Sequence, residues 1–229
     1  MPHHAYFAGR PVLIGYRFRS SRPLDVKVAI VRRAGGRIVR AFVARRQAPG
    51  AHRLLWFGRT WAGEEAPDGR YAVMVGRRGH GLRRAGGFVL HGHAFPVAGP
   101  HATRGPIGEF GAPRSGGRRH EGFDVVAACG AALRAVRGGR VLRRGFDPVL
   151  YGNFVLIHGG GEHRSYFYAH LPRPAPVRRG ERVRTGQRVG AVGMTGNAAR
   201  VGCHLHFEIH VRGVPVDPEP ALRRWDGWS

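Results

Sequence analysis

The stretch "GCHLHFEIH", residues 202–210, sets His204, His206, Glu208 and His210 at alternate positions, with Leu205, Phe207 and Ile209 between them. A strand has a side-chain period of two, so the polar set shares one face and the apolar set the other. The apolar face is core. Imidazoles and carboxylates on a covered face must be paired, hydrogen-bonded or bound to metal. Two histidines one residue apart point into one site, which suits zinc or a ligand-plus-base pair. Taken alone, an H-x-H also reads as a solvated, His-rich face. Two further segments weigh against that: "RRHEGFDVV" offers His120 and Asp124, and "YFYAHL" offers His170. A catalytic zinc takes three protein ligands and leaves a fourth position for water. That water, with its pKa lowered toward about 7, becomes the nucleophile. Of four histidines and one carboxylate, two imidazoles remain to act as general base and as oxyanion or leaving-group partner. No H-E-x-x-H is present, and "HEGFD" is not a variant of it, so the helix-borne zinc site is excluded.

These residues must be held by β-structure. The second half reads as short strands, "FDVVAA", "RVLRRG", "NFVLIHG", "SYFYAHL", "QRVGAVG" and "HLHFEIHV", with Gly-rich stretches at 115–117 and 159–161 expected as loops over the site. Residues 10–90 give six more, from "PVLIGYRFR" to "GFVLHGH", broken by turn chemistry such as "APG" at 48–50 and "EEAPDG" at 64–69. Close strand spacing without helical periodicity predicts a small β-sandwich. The run from "GRIVRAFVARR" through "PDGRYAVMV" resembles the immunoglobulin-like repeat of flagellar hook-capping proteins and bacterial surface modules. Trp56, Gly58, Asp68, Gly69 and Tyr71 are read there as packing and turn residues. The expected fold class is all-β: an immunoglobulin-like sandwich over 1–92, a second antiparallel β domain over 93–222, and a frayed tail, "RRWDGWS", over 223–229.

The bulk numbers bound the partners. The chain has 229 residues, 42% hydrophobic, with 37 Gly and 16 Pro, enough for a real core rich in turns. No apolar run approaches the roughly 18 residues of a membrane span. The start carries only a short apolar patch broken by Gly15 and Arg17, so no signal peptide is visible. The net charge is +24, almost all of it arginine, with Lys27 the sole lysine. Such a surface is drawn to polyanions. The arginines are scattered as pairs, without a basic tail or helix, which speaks against specific nucleic-acid binding and for attraction to an acidic substrate. A polyanion-binding surface protein would rest on charge alone and would show steeply salt-dependent DNA binding.

His-x-Gly-x-Asp, then Tyr-Ala-His-Leu, then His-Leu-His-Phe-Glu, in this order, resembles the lysostaphin/LytM-type zinc endopeptidases over about residues 95–221. The resemblance implies His120, Asp124 and His206 as Zn2+ ligands and His170 and His204 as catalytic imidazoles. Glu208 becomes a partner that orients a ligand. His210 falls outside the motif and is expected to be an exposed strand residue. His158 occupies a structural His-Gly position. His3, His4, His52, His80, His91, His93, His101 and His163 are expected at the surface. Cys203 is a rival ligand beside His204, but on a strand it faces the other way. Cys129 and Cys203 flank the two metal-bearing strands, as in similar secreted relatives, and are expected to form a disulfide.

The implied function is zinc-dependent hydrolysis of peptide bonds in peptidoglycan stems or cross-links, outside the cell or in its envelope, with the sandwich as a targeting or spacing module. The alternative is a catalytically silent member that binds wall or activates another hydrolase. Silent relatives tend to lose zinc ligands, and here the full set is present.

Overall fold

The computed structural model describes residues 3–227 and separates into two compact units, Met1–Gly92 and His93–Ser229. The first unit is all β: β1 (His3–Tyr6), β2 (Val12–Phe18), β3 (Leu24–Arg32), β4 (Ile38–Gln47), β5 (Gly50–Trp56), β6 (Gly69–Arg77) and β7 (Arg83–His91). A five-stranded sheet has the order β1-β7-β6-β3-β4, with β1 parallel to β7, and β2 pairs separately with β5. Alternation explains the layers. In β3, Val26, Val28 and Ile30 point inward to meet Val12, Ile14 and Trp56 of the β2–β5 pair. Trp56 packs against Tyr71 and Phe88, with ring centroids 5.7 and 5.5 Å away. Tyr71 donates its hydroxyl hydrogen to the Pro67 carbonyl, and Asp68 accepts from the Gly92 amide. The Trp-x-Gly and Pro-Asp-Gly-x-Tyr elements are therefore packing and turn features here. His91 corrects its surface assignment: it is buried, with Nε2 2.8 Å from His4 Nδ1.

The second unit contains β8 (His101–Thr103), β9 (Phe123–Ala127), β10 (Ala132–Arg134), β11 (Gly139–Asp147), β12 (Gly152–Gly159), β13 (Arg164–Leu171), β14 (Arg182–Val183), β15 (Arg188–Ala191), β16 (His204–Val211) and β17 (Val214–Val216), then α1 (Glu219–Asp226). Its main sheet runs β14-β11-β12-β13-β16-β9-β8, with β17 added to β16 and a separate β10–β15 pair. In β16 the alternation sends Leu205, Phe207 and Ile209 into the core, where they join Phe123, Val125, Tyr166 and Tyr168. The opposite face of β16 carries His204, His206 and Glu208, and directly opposed residues share it: His206 lies across from Asp124 on β9 and from Ala169 on β13.

Two expectations fail at the C-terminus and beside it. Residues 223–226 are not tail. They complete α1, whose Leu222 and Trp225, three apart on one helical face, are buried in the core, while Pro220 sits in the first turn where a missing amide is harmless. Residues 228 and 229 of the expected tail lie outside the described residues. His93 is half-buried, stacked on Trp225 at 4.8 Å, with Nε2 3.1 Å from both Glu162 and the Tyr166 hydroxyl. Cys129 and Cys203 are bonded to each other, with Cα atoms 5.3 Å apart. Their bridge ties the turn after β9 to the residue before β16. Among the described residues, no helix is long and apolar enough to cross a membrane.

Candidate metal centre

The structure brings His120, Asp124, His170, His204 and His206 together, all buried, at one end of the β9–β16–β13 ladder. Register delivers Asp124 and His206. His120 arrives from the segment before β9, and Gly122 lets it approach. A Cβ at Gly122 would come within 2.7 Å of the His206 ring and 2.6 Å of the Phe207 carbonyl. That is why the spacing between the ligand-type residues contains glycine.

Three atoms form the centre. His120 Nε2 lies 3.1 Å from Asp124 Oδ1, His206 Nδ1 lies 3.2 Å from the same oxygen, and the two nitrogens are 2.8 Å apart. The outer nitrogens are already committed. His120 Nδ1 donates to the Glu109 carbonyl at 2.8 Å, and His206 Nε2 donates to Glu208 Oε1 at 2.8 Å. In neutral rings so held, the inward nitrogens are both lone pairs. Two lone pairs and a carboxylate oxygen then converge on one point, so a cation has to sit among them, either a proton on His206 or a metal ion. Tetrahedral coordination with bonds of about 2.0–2.1 Å has edges of roughly 3.3 Å; the two nitrogen–oxygen separations, 3.1 and 3.2 Å, are close to this, and the nitrogen–nitrogen separation, 2.8 Å, is shorter. The donor set fits zinc.

The electrostatics follow from the same contacts. Burial would raise Asp124, but hydrogen bonds from His120 and His206 outweigh it and hold the carboxyl well below the usual range. Burial would lower His206, but its bonds to Asp124 and Glu208 win and lift it to about 9 in the metal-free site. Glu208, although buried, is pulled down to about 2 by His206 and His210. His210 therefore departs from its expected exposure: its Nε2 is bonded to the second Glu208 oxygen, and the side chain is only 20% exposed. The His206–Glu208–His210 chain explains how a carboxylate survives in this interior.

His170 and His204 stand beside the three. Their ring centroids are 4.8 Å apart, and His170 is 5.8 Å from His206. Each is fixed through Nδ1, which donates to the Thr195 carbonyl in His170 and to the Gly202 carbonyl in His204, both at 2.9 Å. Among the described residues neither Nε2 atom has a hydrogen bond; both rings line the same cleft, and Nε2 of His204 is 3.9 Å from Asp124 Oδ2. Burial, with repulsion from His206 and His204, pushes His170 down to about 3. Burial also lowers His204, against the pull of Asp124. Both rings are neutral at pH 7.

Several contributors carry no signal of type in the sequence. Glu109 and Thr195 act through main-chain carbonyls, which any residue could supply. Thr195 adds a side-chain bond to the Leu171 carbonyl at 2.7 Å and accepts from the Asn153 amide at 2.9 Å. Arg104 donates to Asp124 Oδ2 at 3.0 Å, yet nothing singled it out among so many arginines. The centre opens into a cleft of about 530 Å³, bordered by Ser115 of the first Gly-rich stretch. The second Gly-rich stretch, 159–161, lies at the far end of β12 and β13 and does not cover the site.

A β-sheet carrying this His/Asp constellation on one face defines the second unit as a LytM-type domain of peptidase family M23. Residues 118–218 match the model of that family. The chain is similar to the murein hydrolase activator EnvC of Escherichia coli K12, 34% identical over 146 residues that cover 62% of this chain and 32% of that protein. It is also similar to the peptidoglycan DD-endopeptidase ShyC of Vibrio cholerae serotype O1, 36% identical over 101 residues, 44% of this chain and 22% of that protein. Among solved structures, the catalytic domain of the antimicrobial peptidase lysostaphin from Staphylococcus simulans matches 54% of this chain and 92% of its own, at 25% identity and a TM-score of 0.46. The chain spans less than half the length of the curated relatives it matches.

Proposed function

We propose that this chain is a zinc-dependent endopeptidase that hydrolyses peptide bonds in the stems or cross-links of bacterial peptidoglycan, in the cell envelope or outside it. The observation that carries this reading is the convergence of three acceptor atoms from His120, Asp124 and His206 beside two neutral imidazoles with free Nε2 atoms. His120, Asp124 and His206 would hold the ion. Zinc bound there supplies a Lewis acid and a water of lowered pKa. The protein's own part is positional. Neutral Nε2 of His204 or His170 accepts a proton inside the cleft, and the resulting imidazolium donates it to a leaving amine or holds a developing oxyanion. Glu208 keeps the His206 ring turned with Nδ1 inward. Arg104 holds the second oxygen of Asp124, leaving Oδ1 for the ion.

The first unit is proposed to be an immunoglobulin-like targeting or spacing module, supported by its two sheets sharing one core around Trp56. A wall polymer of negative charge suits a chain of net charge +24.

The name of the EnvC relative favours a second reading, activation of another wall hydrolase. Complete ligand and imidazole sets favour the enzyme. A zymogram on purified wall, with and without chelator, separates the two. The enzyme alone should clear the wall and stop when zinc is removed, and mass analysis of the released peptides names the bond. Clearing only when a second hydrolase is added would establish activation.

A further inference from the structure

The cleft beside the metal centre holds more positive charge than its own acids neutralise. Arg104, Arg114, Arg118 and Arg119 line it, against Asp124 and the exposed Glu121. Asp124 is already engaged: Oδ1 faces the two imidazoles, and Oδ2 meets Arg104 at 3.0 Å and Arg114 at 3.8 Å. Arg114 is only 21% exposed, and Arg104 and Arg118 both repel it. Arg119 spends one donor on the Gly111 carbonyl at 3.1 Å. The Arg118 guanidinium has no hydrogen bond or ion pair among the described residues. Arg114, partly buried and repelled by its neighbours, and Arg118, exposed at the mouth of the cleft beside it, are together stabilised by an anion from outside. The planar fork of a guanidinium matches a carboxylate in two-point geometry.

We propose that Arg118, backed by Arg114, forms a specificity subsite for a free carboxylate of the peptide substrate, so that the cleft selects acidic stem peptides over their amidated forms. The peptide substrate is taken from the endopeptidase reading; the anion site itself stands on the arginine geometry. Placement supports a specific role over general attraction. Arg118 lies two residues before His120 and lines the same cleft, so a carboxylate held there belongs to a chain that also reaches the centre.

The test is binding of a labelled L-Ala-γ-D-Glu-L-Lys-D-Ala peptide to the full chain by fluorescence anisotropy, read before turnover. Its carboxylates are either free or amidated, and salt is kept physiological to screen the general field. Wild type should bind the free acid about ten- to hundredfold tighter, the range expected for charge-assisted hydrogen bonds. Arg118→Gln should bring the two affinities together. Arg53→Gln, an exposed change in the first unit, should leave the ratio unchanged and controls for net charge. Equal affinity of wild type for the two peptides, or discrimination that survives Arg118→Gln, would overturn the proposal. Turnover of cross-linked peptides is scored separately. Discrimination without cleavage keeps the subsite and sinks the endopeptidase reading, whereas cleavage without discrimination sinks the subsite alone.

Discussion

Zinc binding should expel the proton that His206 holds in the metal-free chain. Burial disfavours the charged ring, but Asp124 Oδ1 at 3.2 Å and Glu208 Oε1 at 2.8 Å outweigh it and lift His206 to about 9. At neutral pH both ring nitrogens therefore carry hydrogen, with Nδ1 directed at the same oxygen that the ion would share. Zinc takes a lone pair, so that proton must leave. Below pH 9 the apparent affinity should climb about tenfold per pH unit, each step being about 1.4 kcal/mol. Between pH 6 and 8 the gain from this group is roughly hundredfold. Competition against a chromophoric chelator gives the slope. Calorimetry in two buffers of different ionisation enthalpy gives the proton count. At pH 6.5, where a zinc-bound water with pKa near 7 keeps most of its proton, about one proton should appear per zinc. Glu208→Gln removes a support of the cation, so it should release fewer protons and flatten the slope, with zinc about 10–100-fold weaker. An affinity flat across pH 6–8 with no proton released would refute the argument that the two carboxylates keep His206 charged.

The division of roles predicts that His206→Ala loses zinc by metal analysis, whereas His204→Ala retains it and loses wall-degrading activity; equal metal loss in both would contradict the assignment. Gly152→Ala places a Cβ in a left-handed position, φ 59°, directly against Thr195. It should lower stability by about 2–4 kcal/mol in denaturant titration and reduce activity through displacement of His170. Replacing Cys129 and Cys203 together by serine opens a bridge spanning 74 residues, with an expected loss of about 4 kcal/mol, less any native strain. Zinc should stay bound in that variant, because the sulfurs are bonded to each other and do not belong to the His120–Asp124–His206 cluster.

The long strands of the second unit were legible because alternation over seven or eight residues leaves little freedom of register, as in β13 and β16. Its shorter ones, β8, β10, β14 and β17, are two or three residues long and carry no pattern to read, as is true of the four-residue β1 in the first unit. α1 has no clear sequence signal for a related reason: eight residues with two buried apolar side chains resemble a polar tail outside the core they fill. His91, His93 and His210 depart from the exposure their sequence context predicts because their burial is decided by partners brought from elsewhere, such as Glu162 to His93. That His120, Asp124, His170, His204 and His206 come together was legible, because imidazoles and a carboxylate recur at fixed spacing on β-type sequence. What orients them was not, because a carbonyl from Glu109 or Thr195 constrains the path of the chain and not the identity of the residue.

His170 shows how far strand logic alone would have led astray. Tyr168 pairs with Phe207 on the core face and Ala169 with His206 on the site face, so strict alternation would send His170 into the core. Its φ of 64° breaks the alternation and turns the imidazole back beside His204. A non-glycine residue in this region is disfavoured by roughly 1–2 kcal/mol. The conformation is enforced by the His170 amide on the Tyr151 carbonyl and by the His170 ring on the Thr195 carbonyl. The proposed endopeptidase function needs an imidazole here, so under that reading glycine is not available to relieve the strain. The strain can be isolated by comparing His170→Gly with His170→Ala, since both lose the same ring and its hydrogen bond. In an ordinary strand the alanine variant is the more stable of the two. Here the order should reverse, with His170→Gly more stable by about 1 kcal/mol in chemical denaturation. An alanine variant equal to or more stable than the glycine variant would show that the left-handed backbone stores no energy. Its persistence would then need no cause beyond local sequence.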